Sequence, residues 1–182
     1  GPNGRMGKDL IEQIKSFNSL ELSFLCEKKN HTNIGKKISG IHITDNISDL
    51  IEASDVIIDF TIPKATLELL KVMSNLNSKT ALVTGTTGYS KLEEKKFQSL
   101  VAGITLLRSF NMSIGVNLLK NIINFTSKKI GLESDIEIVE IHHKNKKDIP
   151  SGTSISLAQS IREGNEKINK FIYREENNNR LR

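Results

Sequence analysis

Apolar residues recur along this chain in two alternating rhythms, short buried runs and longer stretches of helical period. Leu10, Ile11, Ile14 and Phe17 fall on one face of a helix that opens after Gly7. Leu20–Cys26 reads as a strand, Ile41–Ile43 as a short strand and Ile47–Ala53 as a short helix. Asp55–Phe60 carries a continuous apolar run, the pattern of a parallel strand covered on both faces. Pro63 suits the first turn of a helix that runs to about Leu76. Lys79–Thr84 is a further buried strand, Ser90 caps a charged helix to about Val101, and Ile104–Arg108 is the next strand. The second half opens with a helix from Ser113 to about Lys129, then a strand at Asp135–Ile141, then a helix from Gly152 through Ile161. Strand–helix alternation of this kind predicts a parallel α/β sheet with right-handed crossovers.

Composition narrows the class. With 182 residues, 37% hydrophobic and 26% charged, the chain can bury one good core or two modest ones, and disorder is not the default. A net charge of +5 would permit a nucleic-acid partner, but there are only seven Phe, two Tyr and no Trp. No aromatic–basic module of the RNA-binding kind is present, so the scattered lysines read as a solvated surface and no nucleic acid is expected. No apolar run approaches the roughly 18 residues of a membrane span, and no signal peptide is visible. Cys26 is the single cysteine, which excludes an intramolecular disulfide and fits a reducing compartment. The expectation is a cytoplasmic protein with no membrane partner.

Candidate chemistry gathers in two places. Glycines at 1, 4 and 7 open the first helix and resemble the turn that sets a pyrophosphate on helix N–H groups. Glu27 ends the strand 20 residues after Gly7, where an acid takes ribose hydroxyls. Lys28 and Lys29 follow, where a cation could take a 2′-phosphate, so tolerance of both NADH and NADPH is expected. Ligands of parallel sheets sit beyond the carboxyl ends of the strands. Three polar or glycine-rich loops fall there: Asp59-Phe60-Thr61, Gly85-Thr86-Thr87-Gly88 and Ser109-Phe110-Asn111-Met112. The second place is the stretch from Glu137 to Thr153, which crowds two histidines and three lysines into six positions. Such donors suit an anionic small molecule, and imidazoles beside a lysine move protons near neutrality. Gly152 and Thr153, at a helix start, add backbone anion sites, and Ser151 or Thr153 can add a hydroxyl. A solvated basic loop is the plain alternative.

The run from Glu140 to Thr153 resembles the signature E-x-H-H-x-x-K-x-D-x-P-S-G-T of the 4-hydroxy-tetrahydrodipicolinate reductase (dihydrodipicolinate reductase) family, and every fixed position is met. The glycine turn at Gly1–Gly7, I-D-F-T at Ile58–Thr61, G-T-T-G at Gly85–Gly88 and N-x-S-x-G-V-N at Asn111–Asn117 resemble the same family in its order. The resemblance implies an α/β chain with a Rossmann-like parallel-sheet nucleotide-binding domain over 1–112 and an incomplete α+β substrate-binding and oligomerisation domain over 113–182. It implies that His142 is the acid–base histidine and Lys146 the catalytic lysine. His143, Ser151, Gly152 and Thr153 match the substrate contacts. Gly1, Pro2, Asn3, Gly4, Arg5, Met6, Glu27, Lys28, Phe60, Gly85, Thr86, Thr87, Ser109, Phe110, Asn111 and Met112 match the cofactor contacts, and no metal site is implied.

The reaction so implied is NAD(P)H-dependent reduction of a cyclic hydroxy-dicarboxylate to tetrahydrodipicolinate in lysine (diaminopimelate) biosynthesis, by a homotetramer using NADH or NADPH. The resemblance further implies a fragment without the family's first strand and C-terminal part, expected to be unstable or inactive alone. Two other readings stay open. A nucleotide-binding pseudoenzyme or sensor would not need both His142 and Lys146, and a different Rossmann oxidoreductase with another anionic substrate would not need the P-S-G-T turn.

Overall fold

The computed structural model describes residues 1–131, 133–142, 150–168 and 170–172. The chain divides into two units, Gly1–Phe110 and Asn111–Arg182. The first runs α1 (Arg5–Ile14), β1 (Leu25–Cys26), β2 (Lys37–Ile38), β3 (Ile41–Thr44), α2 (Ile47–Glu52), β4 (Val56–Asp59), α3 (Pro63–Asn75), β5 (Ala81–Thr84), α4 (Lys91–Leu100) and β6 (Leu106–Arg108). Strands β4, β5 and β6 form a parallel sheet whose register sets Asp59, Thr84 and Arg108 side by side at the carboxyl ends. β1 pairs parallel with β3, and β2 pairs antiparallel with β3.

Local chemistry explains the helix starts. Pro63 occupies the first turn of α3, where its absent N–H costs nothing. Ser90 and Glu93 form a reciprocal capping box at α4, with Ser90 N–H donating to Glu93 Oε2 at 2.8 Å. Asn46 caps α2 by accepting from the Ser48 and Asp49 N–H groups. The main core packs α2, α3 and α4 against one face of β4–β6 through Ile51, Ile57, Leu70, Met73, Leu82 and Phe97. A smaller core of Ile11, Leu25 and Ile43 joins α1 to β1 and β3.

Three expectations for this unit change. Phe17 lies beyond the end of α1 and is exposed, because the helix closes at Ile14 with Lys15 as its cap. The strand expected over Leu20–Cys26 shrinks to Leu25–Cys26, the two residues that find partners in Ile43 and Thr44. β4 is covered on one face only. Val56 and Ile58 are exposed, because the second face has no helix on it among the described residues and α1 packs with the other sheet. The pattern also misses β2, whose hairpin turns at Ser39 (φ 51°) and Gly40 (φ 83°), both left-handed as a tight two-residue turn requires.

In the second unit, α5 (Ile114–Ile130) and α6 (Gly152–Gly164) pack together. Ser127 Oγ donates to the Ile161 carbonyl at 2.8 Å and Asn124 Nδ2 to the Ser160 carbonyl at 3.2 Å. A Cβ at Gly164 would overlap the Asn124 carbonyl oxygen, so only glycine lets the helices approach this closely. Asp135–Ile141 is not a strand. The described residues of this unit offer it only helices, and a strand without a neighbour has no ladder to join. No described helix is long and apolar enough to cross a membrane.

Candidate functional site

The glycine turn is clamped to the end of β1. Gly1 N donates to the Cys26 carbonyl at 2.8 Å, and the N–H and Nδ2 of Asn3 both donate to Glu27 Oε1, at 3.2 and 3.0 Å. Asn33 Nδ2 in turn donates to Asn3 Oδ1 at 2.8 Å. A Cβ at Gly7 would overlap the Gly1 carbonyl oxygen and crowd Pro2, so the turn can fold onto α1 only over glycine. Gly4 is the N-cap of α1, which has no side-chain cap and no acid in its first turn. Its N-terminal amides and positive dipole end therefore suit an anionic group. Burial pushes the Glu27 carboxyl up, but the Asn3 hydrogen bonds, together with the Gly1 amino group and the Lys28 N–H, hold the group below its ordinary range, ionised and able to accept ribose hydroxyls. Arg5, Met6 and Lys28 are exposed at the same end, whereas Pro2 is buried.

The carboxyl ends of β4 and β5 adjoin this turn. Thr61 Oγ1 donates to Asp59 Oδ1 at 2.6 Å, and Thr66, Thr84 and Thr86 converge on Asp59 Oδ2 at 2.5, 3.0 and 3.2 Å. Thr86 is buried and its hydroxyl also accepts from the Thr61 N–H at 3.0 Å, so this loop presents outward its backbone and the exposed Thr87. The Phe60 ring covers Gly85, where a Cβ would overlap it. At the end of β6, Arg108 grips Glu94 with two bonds of 2.7 and 2.8 Å and lies over the rings of Tyr89, Phe97 and Phe110. That pairing holds the Glu94 carboxyl below its usual range and fixes the chain entering Ser109 and Phe110.

Of the residues expected at a cofactor, Gly1, Asn3, Glu27, Phe60, Gly85 and Thr86 thus come together through direct contacts or shared partners. Asn111 and Met112 belong to the second unit. Asn33 carries no role in the sequence reading, and Asp59 enters it only as the first residue of the Asp59-Phe60-Thr61 loop. Asn33 lies 30 positions from Asn3, and nothing local marks it.

In the second unit Glu140 is the hub. Its Oε2 accepts from His142 Nε2 at 2.7 Å, and its Oε1 accepts from the Ser151 N–H at 2.9 Å. Burial raises this carboxyl, but hydrogen bonds from Ser151, His142 and Ser154 overcome it and bring it down to about 2. Ser151 is buried and its hydroxyl caps α6 by accepting from the Ser154 N–H at 3.1 Å. Gly152 is exposed, with nothing within 4 Å of where a Cβ would stand. Thr153 Oγ1 accepts from Asn111 Nδ2 at 3.3 Å, and Asn117 Nδ2 holds the Asn111 and Ser113 carbonyls at 3.1 and 2.9 Å. His143 and Lys146 lie outside the described residues. Glu140 has a fixed place in the signature, but only the fold reveals that it joins His142 to the start of α6.

Two family models match the chain, "Dihydrodipicolinate reductase, N-terminus" over residues 1–112 and "Dihydrodipicolinate reductase, C-terminus" over residues 115–181. The chain belongs to the dihydrodipicolinate reductase family. A relative in the family, the 4-hydroxy-tetrahydrodipicolinate reductase of Pelagibacter ubique (strain HTCC1062), is 42% identical over 170 residues, covering 93% of this chain and 63% of that protein. The protein of the same name from Bartonella tribocorum (strain CIP 105476 / IBS 506) is 39% identical over 173 residues, covering 90% and 63%. The chain therefore spans 63% of the length of these two relatives. A dipicolinate-bound dihydrodipicolinate reductase from Paenisporosarcina sp. TG-14 matches in fold with a TM-score of 0.72, at 24% identity, over 98% of this chain and 69% of that one. The fold class is accordingly the Rossmann-type α/β architecture of this family.

Proposed function

We propose that the protein carrying this chain reduces 4-hydroxy-tetrahydrodipicolinate to tetrahydrodipicolinate, with loss of water, in lysine (diaminopimelate) biosynthesis. The observation that carries the reading is the Glu140–His142 pair, an imidazole tied to an ionised carboxylate beside the open start of α6. Family membership and the names of the relatives support it.

In this reading the first unit holds the dinucleotide. Amides at the start of α1, within the Gly1–Met6 turn, receive the pyrophosphate, and Glu27 receives ribose hydroxyls. Phe60, Gly85, Thr86 and Thr87 line its path, with Ser109 and Phe110 at the end of β6. NADH or NADPH, when bound, supplies the hydride. Lys28 is exposed beside Glu27 and gives a 2′-phosphate a cation, so both cofactors are used.

The second unit holds the dicarboxylate. The Gly152 and Thr153 amides stand at the positive end of α6, and His143 adds a donor. Because Glu140 Oε2 accepts from Nε2, the proton His142 gives up leaves from Nδ1 when the ring is charged. Lys146 is the second donor. Ser151 serves by holding Glu140 and capping α6, while Asn111 steadies the Thr153 hydroxyl. The protein works in the cytoplasm as a homotetramer. A sensor that only bound nucleotide would have no use for the Glu140–His142 pair.

The test supplies enzymatically generated 4-hydroxy-tetrahydrodipicolinate and follows NADH or NADPH absorbance. Oxidation is expected, and none with either cofactor overturns the reading. His142→Gln should lower turnover about 10²–10⁴-fold and spare cofactor affinity.

A further inference from the structure

We propose that Asp59 is a positioning residue of the cofactor site, a buried carboxylate that sets two cofactor loops relative to one another. The inference rests on the dinucleotide reading above and deepens it. Asp59 is 5% exposed, and no cationic side chain pairs with it among the described residues. A buried carboxylate is costly unless its oxygens are well satisfied. Here four hydroxyls satisfy them, from the β4–α3 loop (Thr61), α3 (Thr66), β5 (Thr84) and the β5–α4 loop (Thr86). An apolar residue would serve a merely structural strand end at no desolvation cost, as Ile57 does two positions earlier.

The arrangement extends outward on both sides. Gly85 N–H donates to the Asp59 carbonyl at 2.9 Å, and Thr61 N–H donates to Thr86 Oγ1 at 3.0 Å, tying the two loops to each other as well as to the carboxylate. The Thr61 methyl packs against the glycine turn, 3.1 Å from where a Cβ on Gly1 would stand. Gly1, Thr61, Asp59, Thr86 and Gly85 therefore form one continuous brace. Its oxygens point inward to Asp59, which leaves the backbone of the loops and Thr87 facing outward.

The test titrates the parent and its variants with NADH, or with NADPH if the parent prefers it, at a temperature where circular dichroism shows each fully folded. Under that condition a change in stability alone does not move the dissociation constant. Asp59→Asn puts a donor where acceptors are needed and should weaken binding about tenfold or more. Thr61→Val keeps the methyl against Gly1 and removes only the hydroxyl, and should weaken binding about fivefold. Thr61→Ser keeps the hydroxyl and should bind within about twofold of the parent. If Asp59→Asn does not fold, the Thr61 pair decides alone. Parental affinity in Thr61→Val, or an equal loss in Thr61→Ser, overturns the proposal, as does parental affinity in a folded Asp59→Asn. A parent that binds neither cofactor sinks the dinucleotide reading itself, a result distinct from parental binding with unaffected variants.

Discussion

Glu140 divides its two oxygens between His142 and the backbone of Ser151, so one carboxylate both selects the imidazole nitrogen that faces away and ties that ring to α6. Glu140→Gln keeps the size but loses the charge and presents an amide where an acceptor is needed. Turnover is expected to fall about 10- to 100-fold, the scale of a misplaced reacting group, with cofactor affinity unchanged. The same residue carries a pH signature. Its folded value, about 2, lies below the ordinary 4.5, so its stabilisation is complete above about pH 4.5 and is lost as pH falls through about 2. The thermal midpoints of parent and Glu140→Gln should therefore differ most near neutrality and converge as pH drops across that window. A gap that widens with acid would contradict the assignment. The His-His-Lys signature was legible because its spacing is local. The role of Asp59 as a shared acceptor was not, because its partners lie 2, 7, 25 and 27 positions away and meet only when two strands and a helix pack.

Helices were easier to read than strands for a related reason. A helix start is written within a few residues, as in Ser90 with Glu93 or Pro63 at the head of α3. A strand is defined by its neighbour. Leu20–Cys26 pairs only at its last two residues, Asp135–Ile141 finds no partner among the described residues, and the two-residue β2 owes its place to a turn. Helix packing also carries a specific demand at Gly164. Gly164→Ala forces a methyl into the Asn124 carbonyl and should destabilise the protein by about 1–3 kcal/mol, read as a lower urea midpoint. A change of a few tenths would mean that α5 and α6 can slide apart without cost.

Across the whole molecule, apolar surface remains open. Val56, Ile58 and Leu107 are exposed on β4 and β6, and Leu118, Ile122 and Phe125 form a stripe on α5 at helical spacing. Ile136, Ile138, Val139 and Ile141 add an exposed apolar segment. Single exposed residues are ordinary, but contiguous ones mark surfaces that other protein covers. Residues 1–182 on their own should bind a hydrophobic dye and self-associate with concentration in light scattering, and Ile122→Asp with Phe125→Asp should reduce both. A dye-silent monomer at all concentrations would remove that stripe from consideration as a contact surface.

The brace around Asp59 has a kinetic corollary. Because the Gly85 amide is held by Asp59 and the Thr61 amide by the Thr86 hydroxyl, a local fluctuation that releases one loop should release the other. In deuterium oxide, mass spectrometry or NMR should find these two amides exchanging at one common rate, and Thr61→Val should accelerate both together. The β4–α3 and β5–α4 loops would then open and close as one element.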